Sequence, residues 1–129
     1  MMNGLSAQEV DHLKQLLRTE HGQLRREVGA ELARSSEGRY LELAGRVLDR
    51  GDEAMADLLG DLEIAALDRH VKRVRLIETA LGSIDSGRYG LCRVCGAKIG
   101  SARLEADPAV ERCIDCQTAV EEGRHTPTL

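Results

Sequence analysis

Four cysteines carry the most legible chemistry in this sequence. They stand as Cys92-Arg93-Val94-Cys95 and Cys113-Ile114-Asp115-Cys116, with 17 residues between the pairs. Two such pairs at this separation are a zinc signature, because each short turn aims two thiolates at one metal and the second turn completes a tetrahedron. Gly96 follows the second cysteine and supplies the backbone freedom a metal knuckle needs. Cys92, Cys95, Cys113 and Cys116 are therefore the expected ligands of one zinc ion. With all four places filled by protein, no position is left for an activated water, so the expected role is structural rather than catalytic. Two disulfides or a thioredoxin-like redox pair are the competing readings. Residues 1–11 show no basic segment leading into an apolar run, and no window approaches the roughly 18 apolar residues of a membrane helix. A cytoplasmic, reducing location is therefore expected, and it favours the metal.

The finger needs the metal. Between Tyr89 and Gln117 its apolar residues are few, chiefly Leu91, Val94, Ile99, Leu104, Val110 and Ile114. So small a cluster does not hold a fold by itself. The histidines (His12, His21, His70 and His125) are read as surface residues rather than ligands.

The rest of the chain is long helix. The 129 residues include no Phe, no Trp and two Tyr, against 18 Leu and 14 Ala, and 31% are charged. That composition suits extended, solvated helices and disfavours an aromatic-rich enzyme core. Ser6 and Glu9 have the spacing of a capping box, and Val10, Leu13, Leu17, Leu24 and Val28 follow at helical steps. The pattern predicts one helix over 6–48, with a bend or irregular turn marked by Ser35, Ser36 and Gly38 and the pattern resuming at Leu41, Ala44 and Leu48. A second helix is predicted over 53–84, with a seam of Leu67, Val71, Val74, Ile77, Leu81 and Ile84 in steps of three and four. Joined by Asp49-Arg50-Gly51-Asp52, the two make a long antiparallel hairpin, a coiled coil about 45 Å long. Gly51 suits the turn and Asp52 suits the cap of the second helix. The expected fold is thus all-α, a helical hairpin over 1–85 with its tip near 49–54. A small four-cysteine finger with a short C-terminal helix over 117–122 completes it over 86–129. A hairpin that pairs with itself is complete as a monomer.

Charge is uneven. The net charge is −4, which disfavours a nucleic-acid backbone as the main partner. Asp49, Asp52, Glu53, Asp57, Asp61 and Glu63 crowd around the hairpin turn, whereas Arg69, Lys72, Arg73 and Arg75 form a basic stretch. Either run serves as a solvated helix face, and the bases also suit pairing with Glu20, Glu27 or Glu31 of the first helix. There is no nucleophile–base signature and no phosphate-cradling glycine loop, so an enzyme is not expected.

One family joins these features. The hairpin leads through Arg88-Tyr89-Gly90-Leu91 into Cys92-x-x-Cys95-Gly96, then Ile99-Gly100, Arg103-Leu104-Glu105-Ala106 and Cys113-Ile114-Asp115-Cys116. From Asp49 to Glu122 this resembles the DksA/TraR family. The resemblance implies a bacterial transcription regulator that binds RNA polymerase directly and inserts its coiled coil into the secondary channel, with the N-terminal residues partly in the globular end. The family's tip motif, Asp-x-x-Asp-x-Ala, stands here as Asp49-Arg50-Gly51-Asp52-Glu53-Ala54. The resemblance makes Asp49, Asp52 and Ala54 the polymerase-contacting tip, with Arg69, Lys72 and Arg73 as further polymerase or anion contacts. It also brings the alarmone guanosine tetraphosphate (ppGpp), which family members hold with basic residues. Here the matching positions are Leu76, Asp107 and Gln117, which cannot pair with phosphate as Lys or Arg does, so dependence on the alarmone is expected to be weakened or lost. No sequence-specific DNA binding is expected. The alternative function is a zinc ribbon that binds nucleic acid directly through Arg88, Arg93, Lys98, Arg103 and Arg112.

Overall fold

The computed structural model describes residues 2–34, 38–49, 55 and 67–123. Among them lie five helices: α1 (Ala7–Ala33), α2 (Gly38–Asp49), α3 (Asp68–Ser86), α4 (Ser101–Ala106) and α5 (Ile114–Glu121). No described residue belongs to a sheet; only two isolated bridges occur, Met2 with Leu5 and Leu91 with Lys98. The chain divides into two compact units, Leu16–Glu78 and a second formed by Met1–Gln15 with Thr79–Leu129.

Local chemistry sets the helix ends. The Ser6 hydroxyl accepts the Glu9 N–H at 3.0 Å while the Glu9 carboxylate accepts the Ser6 N–H at 3.0 Å, a reciprocal capping box that opens α1. Gly87 (φ +78°) closes α3. The Gly87 N–H bonds the Ile84 carbonyl and the Arg88 N–H the Ser83 carbonyl, which is a Schellman stop. Glycine is needed there because the left-handed conformation strains any residue with a Cβ.

In the Leu16–Glu78 unit, Leu17, Leu24, Val28 and Leu32 of α1 are buried, as are Leu67, Val74 and Ile77 around α3. The α3 seam thus follows the predicted one, with Val71 half-buried. Ion pairs tie the two helices in antiparallel order: Arg73 forks onto Glu20 through Nε and Nη2 at 2.6 and 2.8 Å. His70 lies 3.4 Å from Glu27 and 3.3 Å from Glu31.

The structure departs from the sequence pattern in four places. The helix predicted over 6–48 ends at Ala33, with Arg34 in a turn, and α2 is a separate helix beginning at Gly38. The run from Arg34 to Gly38 lacks the apolar positions that would hold one continuous helix in register. On α2 the buried residues are Leu43, Ala44 and Val47, whereas Leu41 and Leu48 of the predicted stripe are exposed. The helix predicted over 53–84 is described over Asp68–Ser86 and extends two residues further than expected; residues 53–54 and 56–66 lie outside the described part. Finally, His21 is not a surface residue: it is 3% exposed, its ring 2.7 Å from the Glu78 carboxylate. His12 is exposed beside Glu105, and His125 lies outside the described residues.

Candidate metal centre and tip motif

The second unit builds the cysteine site. A short loop folds over itself as the Cys92 N–H bonds the Ala97 carbonyl, the Gly96 N–H the Cys92 carbonyl and the Ile99 N–H the Gly90 carbonyl. Gly96 has φ +77°, the conformation that closes the knuckle. The Val94 N–H also points at Cys92 Sγ, at 3.4 Å. The second pair enters on a helix: Cys113 is the N-cap of α5, and Cys116 sits on its first turn. This helix starts three residues before the predicted one, so Cys116 belongs to it rather than preceding it. Helix α4 has no counterpart in the sequence reading; its Leu104, 1% exposed, is the apolar anchor of the finger.

The two knuckles are tied together by protein. The Arg93 N–H bonds the Glu111 carbonyl, and the Arg93 guanidinium pairs with the Glu111 carboxylate at 2.9 Å. Arg103 Nε donates to the Arg112 carbonyl at 3.0 Å, fixing the stretch of chain that enters Cys113. Tyr89 is buried, and its hydroxyl donates to the Pro108 carbonyl at 2.8 Å.

These supports bring the sulfurs of Cys92, Cys95, Cys113 and Cys116 within 4.8 Å of one another. Cys95 Sγ and Cys113 Sγ are 3.7 Å apart. A tetrahedral zinc with Zn–S bonds of about 2.3 Å requires S···S edges of about 3.8 Å. The donor set and its spacing therefore fit one zinc ion. The thiols are also unequal. Burial raises the Cys92 pKa, but backbone N–H groups of Cys95, Cys113 and Val94 outweigh it and bring the thiol down to about 6. Cys116 is pushed up to about 12, by its hydrogen bond with Cys113 first and by burial second. The Cys92 thiolate thus forms readily, and a dication is what would allow Cys116 to ionise beside it.

The residues of the predicted tip are placed less fully. Asp49 closes α2, while Asp52 and Ala54 lie outside the described residues. Met55, the residue after the motif, is 1% exposed, and its N–H donates to the Glu78 carboxylate at 2.8 Å. In the basic stretch, Arg69 is exposed, Lys72 pairs with Asp68 one turn earlier at 2.9 Å, and Arg73 holds Glu20. The charge pattern names Glu20 as a partner for these bases but does not show that Glu27 and Glu31 turn to His70 instead. Nor does it show the N-terminal contribution to the finger. Asn3 Nδ2 donates to the Gly87 and Tyr89 carbonyls at 3.2 and 2.7 Å, and Leu5 is buried. A Cβ on Gly90 would meet Leu5 Cδ1 at 3.3 Å. A lone Asn and Leu before a capping box give no signal of contacts more than 80 residues away.

The profile of the prokaryotic dksA/traR C4-type zinc finger matches residues 87–122. The "RNA polymerase-binding transcription factor DksA" of Salmonella typhimurium is 33% identical over 113 residues, covering 88% of this chain and 72% of that protein. The protein of the same name from Escherichia coli K12 is 32% identical over the same shares. In fold, the chain is similar to transcription factor DksA2 from Pseudomonas aeruginosa, with a TM-score of 0.60 and 24% identity, over 93% of this chain and 89% of that one. The finger is of the four-cysteine zinc type, and the four clustered cysteines are its complement of ligands for one structural zinc.

Proposed function

This chain belongs to the DksA/TraR family of C4-type zinc-finger proteins, and on that premise we propose that it regulates transcription by binding bacterial RNA polymerase. The observation that carries this reading is the similarity to DksA proteins named for that binding, which runs over 88% of this chain. In this reading the chain is a cytoplasmic, monomeric, non-enzymatic regulator. Its helical arm enters the secondary channel and brings the carboxylates of Asp49 and Asp52 toward the active centre, with Ala54 a close-contact position where a larger side chain does not fit.

The zinc supplies no chemistry beyond cross-linking the finger when bound. Cys92, Cys95, Cys113 and Cys116 hold it, and the finger in turn fixes the end of α3 through the Gly87–Tyr89 turn. Arg69, exposed on α3, is the base best placed to meet an anionic partner group, since Lys72 and Arg73 already face Asp68 and Glu20. Leu76, Asp107 and Gln117 cannot pair with the alarmone's phosphates as Lys or Arg does, although Arg69 remains basic, so dependence on the alarmone is weakened or lost.

Direct nucleic-acid binding by the finger is less well supported. Of its bases, Arg93 is held by Glu111 and Arg103 by the Arg112 carbonyl, so both are committed to holding the fold. Equilibrium binding of the zinc-loaded chain to purified bacterial RNA polymerase and, separately, to duplex DNA tests the choice. Saturable binding to polymerase with none to DNA is expected; the reverse overturns the proposal.

A further inference from the structure

We propose that Asn3–Gly4 is a covalent modification site, shielded while the finger is closed, at which water converts the asparagine to aspartate or isoaspartate once the finger opens. Asn3 is the only asparagine in the sequence, and a glycine follows it. The backbone nitrogen after an asparagine can attack its side-chain carbonyl, and a residue without a Cβ leaves that approach uncrowded. Gly4 is exposed to water, and its N–H makes no hydrogen bond among the described residues. The nucleophile is therefore available. In the reaction the Gly4 nitrogen bonds to Asn3 Cγ and gives up its proton, while the Cγ–Nδ2 bond breaks and Nδ2 leaves with that proton as ammonia. Water then opens the cyclic imide. Attack at Cγ leaves aspartate, and attack at the main-chain carbonyl leaves isoaspartate. The net change is water in and ammonia out, with no redox step.

The shield is the seat that the finger offers to the N-terminal turn. Asn3 Nδ2 donates to the Gly87 and Tyr89 carbonyls at 3.2 and 2.7 Å, and both bonds must break before Cγ can swing onto the Gly4 nitrogen. A Cβ on Gly90 would meet the Leu5, Asn3 and Leu104 side chains at 3.3, 3.6 and 3.8 Å, so the turn lies directly against the finger. Tyr89 is in turn held by the Pro108 carbonyl. The protection thus lasts only while residues 87–108 keep this arrangement. The product no longer fits the seat. An ionised carboxylate has no donor, so the two carbonyls lose their partner and face a negative charge. Aspartate accepts the φ of +53° as asparagine does, so the loss falls on those two bonds rather than on the backbone. Isoaspartate also lengthens the main chain between Met2 and Leu5, whose backbone groups bond each other at 2.8 and 2.9 Å. Each opening of the finger can therefore leave a permanent mark that loosens the closed state. The inference does not depend on the reading of the tip.

The test ages the full chain for days in mildly alkaline buffer, zinc-loaded in one sample and with a chelator in the other. Trypsin then releases Met1–Lys14, and fragment masses distinguish a gain of one mass unit on Asn3 from one on Gln8. The gain, with an isoaspartate fraction resolved by chromatography, should appear about tenfold or more faster in the chelated chain, since two hydrogen bonds no longer hold the amide. Amide hydrogen exchange then reads the consequence in zinc-loaded Asn3→Asp. Exchange at Leu5, Tyr89 and Leu91 should be about tenfold faster than in wild type, with Val74 and Ile77 unchanged. The aged wild-type chain, reloaded with zinc, should show the same acceleration in its modified fraction, so the result does not hang on the folding of one variant. No mass gain on Asn3 in either sample overturns the site. Equal rates with and without zinc overturn the shield. Wild-type exchange in both Asn3→Asp and the modified fraction overturns the loosening.

Discussion

Cys95 Sγ and Cys113 Sγ, 18 residues apart in the chain, stand 3.7 Å from each other. That is close to the edge of a zinc–thiolate tetrahedron, and it is reached through protein contacts that join the two knuckles. The pairing of Arg93 with Glu111 and of Arg103 with the Arg112 carbonyl sets the approach of one cysteine pair to the other.

Removing one ligand should therefore dissolve the finger and spare α1, α2 and α3. In Cys113→Ser, or after chelation, residues 89–117 should become protease-sensitive and the zinc content should fall from one per chain to none. Far-ultraviolet circular dichroism should retain most of its helical signal. Protease resistance of the finger without metal would contradict the structural role of zinc.

Tyr89 gives the finger an alkaline limit. Burial, followed by the charges of Asp107 and Glu105, raises its phenol above the ordinary value of 10. The folded finger thus keeps a proton that the unfolded chain loses, so stability is complete below about pH 10 and declines as pH rises above it. In a Tyr40→Phe background, phenolate absorbance should appear only above that pH and coincide with loss of the finger. Tyr89→Phe should cost about 1 kcal/mol through the lost bond to the Pro108 carbonyl.

Two local substitutions probe the capping box and the turn into the finger. Ser6→Ala removes half of the capping box and should destabilise the chain by about 1 kcal/mol in urea unfolding. Gly90→Ala places a Cβ at φ +93° and 3.3 Å from Leu5. It should cost about 1–3 kcal/mol, most of it from the strained backbone.

The alarmone offers a separate check. Adding guanosine tetraphosphate should change the chain's effect on polymerase by less than about twofold, since a neutral or acidic side chain cannot replace a phosphate-pairing base. Restoring bases in a Leu76→Lys, Asp107→Arg and Gln117→Lys triple variant should restore sensitivity.

The parts of this molecule that are legible in the sequence are those fixed by near neighbours. The Ser6–Glu9 box, the α3 seam and the cysteine knuckles each rest on spacings of a few residues, and each is found where the spacing puts it. The parts that are not legible depend on long-range partners. His21 looks like any polar residue on a helix until Glu78 is placed beside it. On α2 the apolar residues occupy two faces, so periodicity alone does not decide between Leu41 with Leu48 and Leu43 with Val47. Nothing near Asn3 in sequence announces that it will bind carbonyls in the turn after α3.

That Asp52 acts on polymerase is tested most directly by multi-round transcription from a ribosomal promoter with purified bacterial RNA polymerase, comparing wild type and Asp52→Asn at matched occupancy. The expected result is an altered transcript yield with wild type that is lost in Asp52→Asn although the variant still binds. Equal effects of the two proteins, or binding by neither, would contradict it.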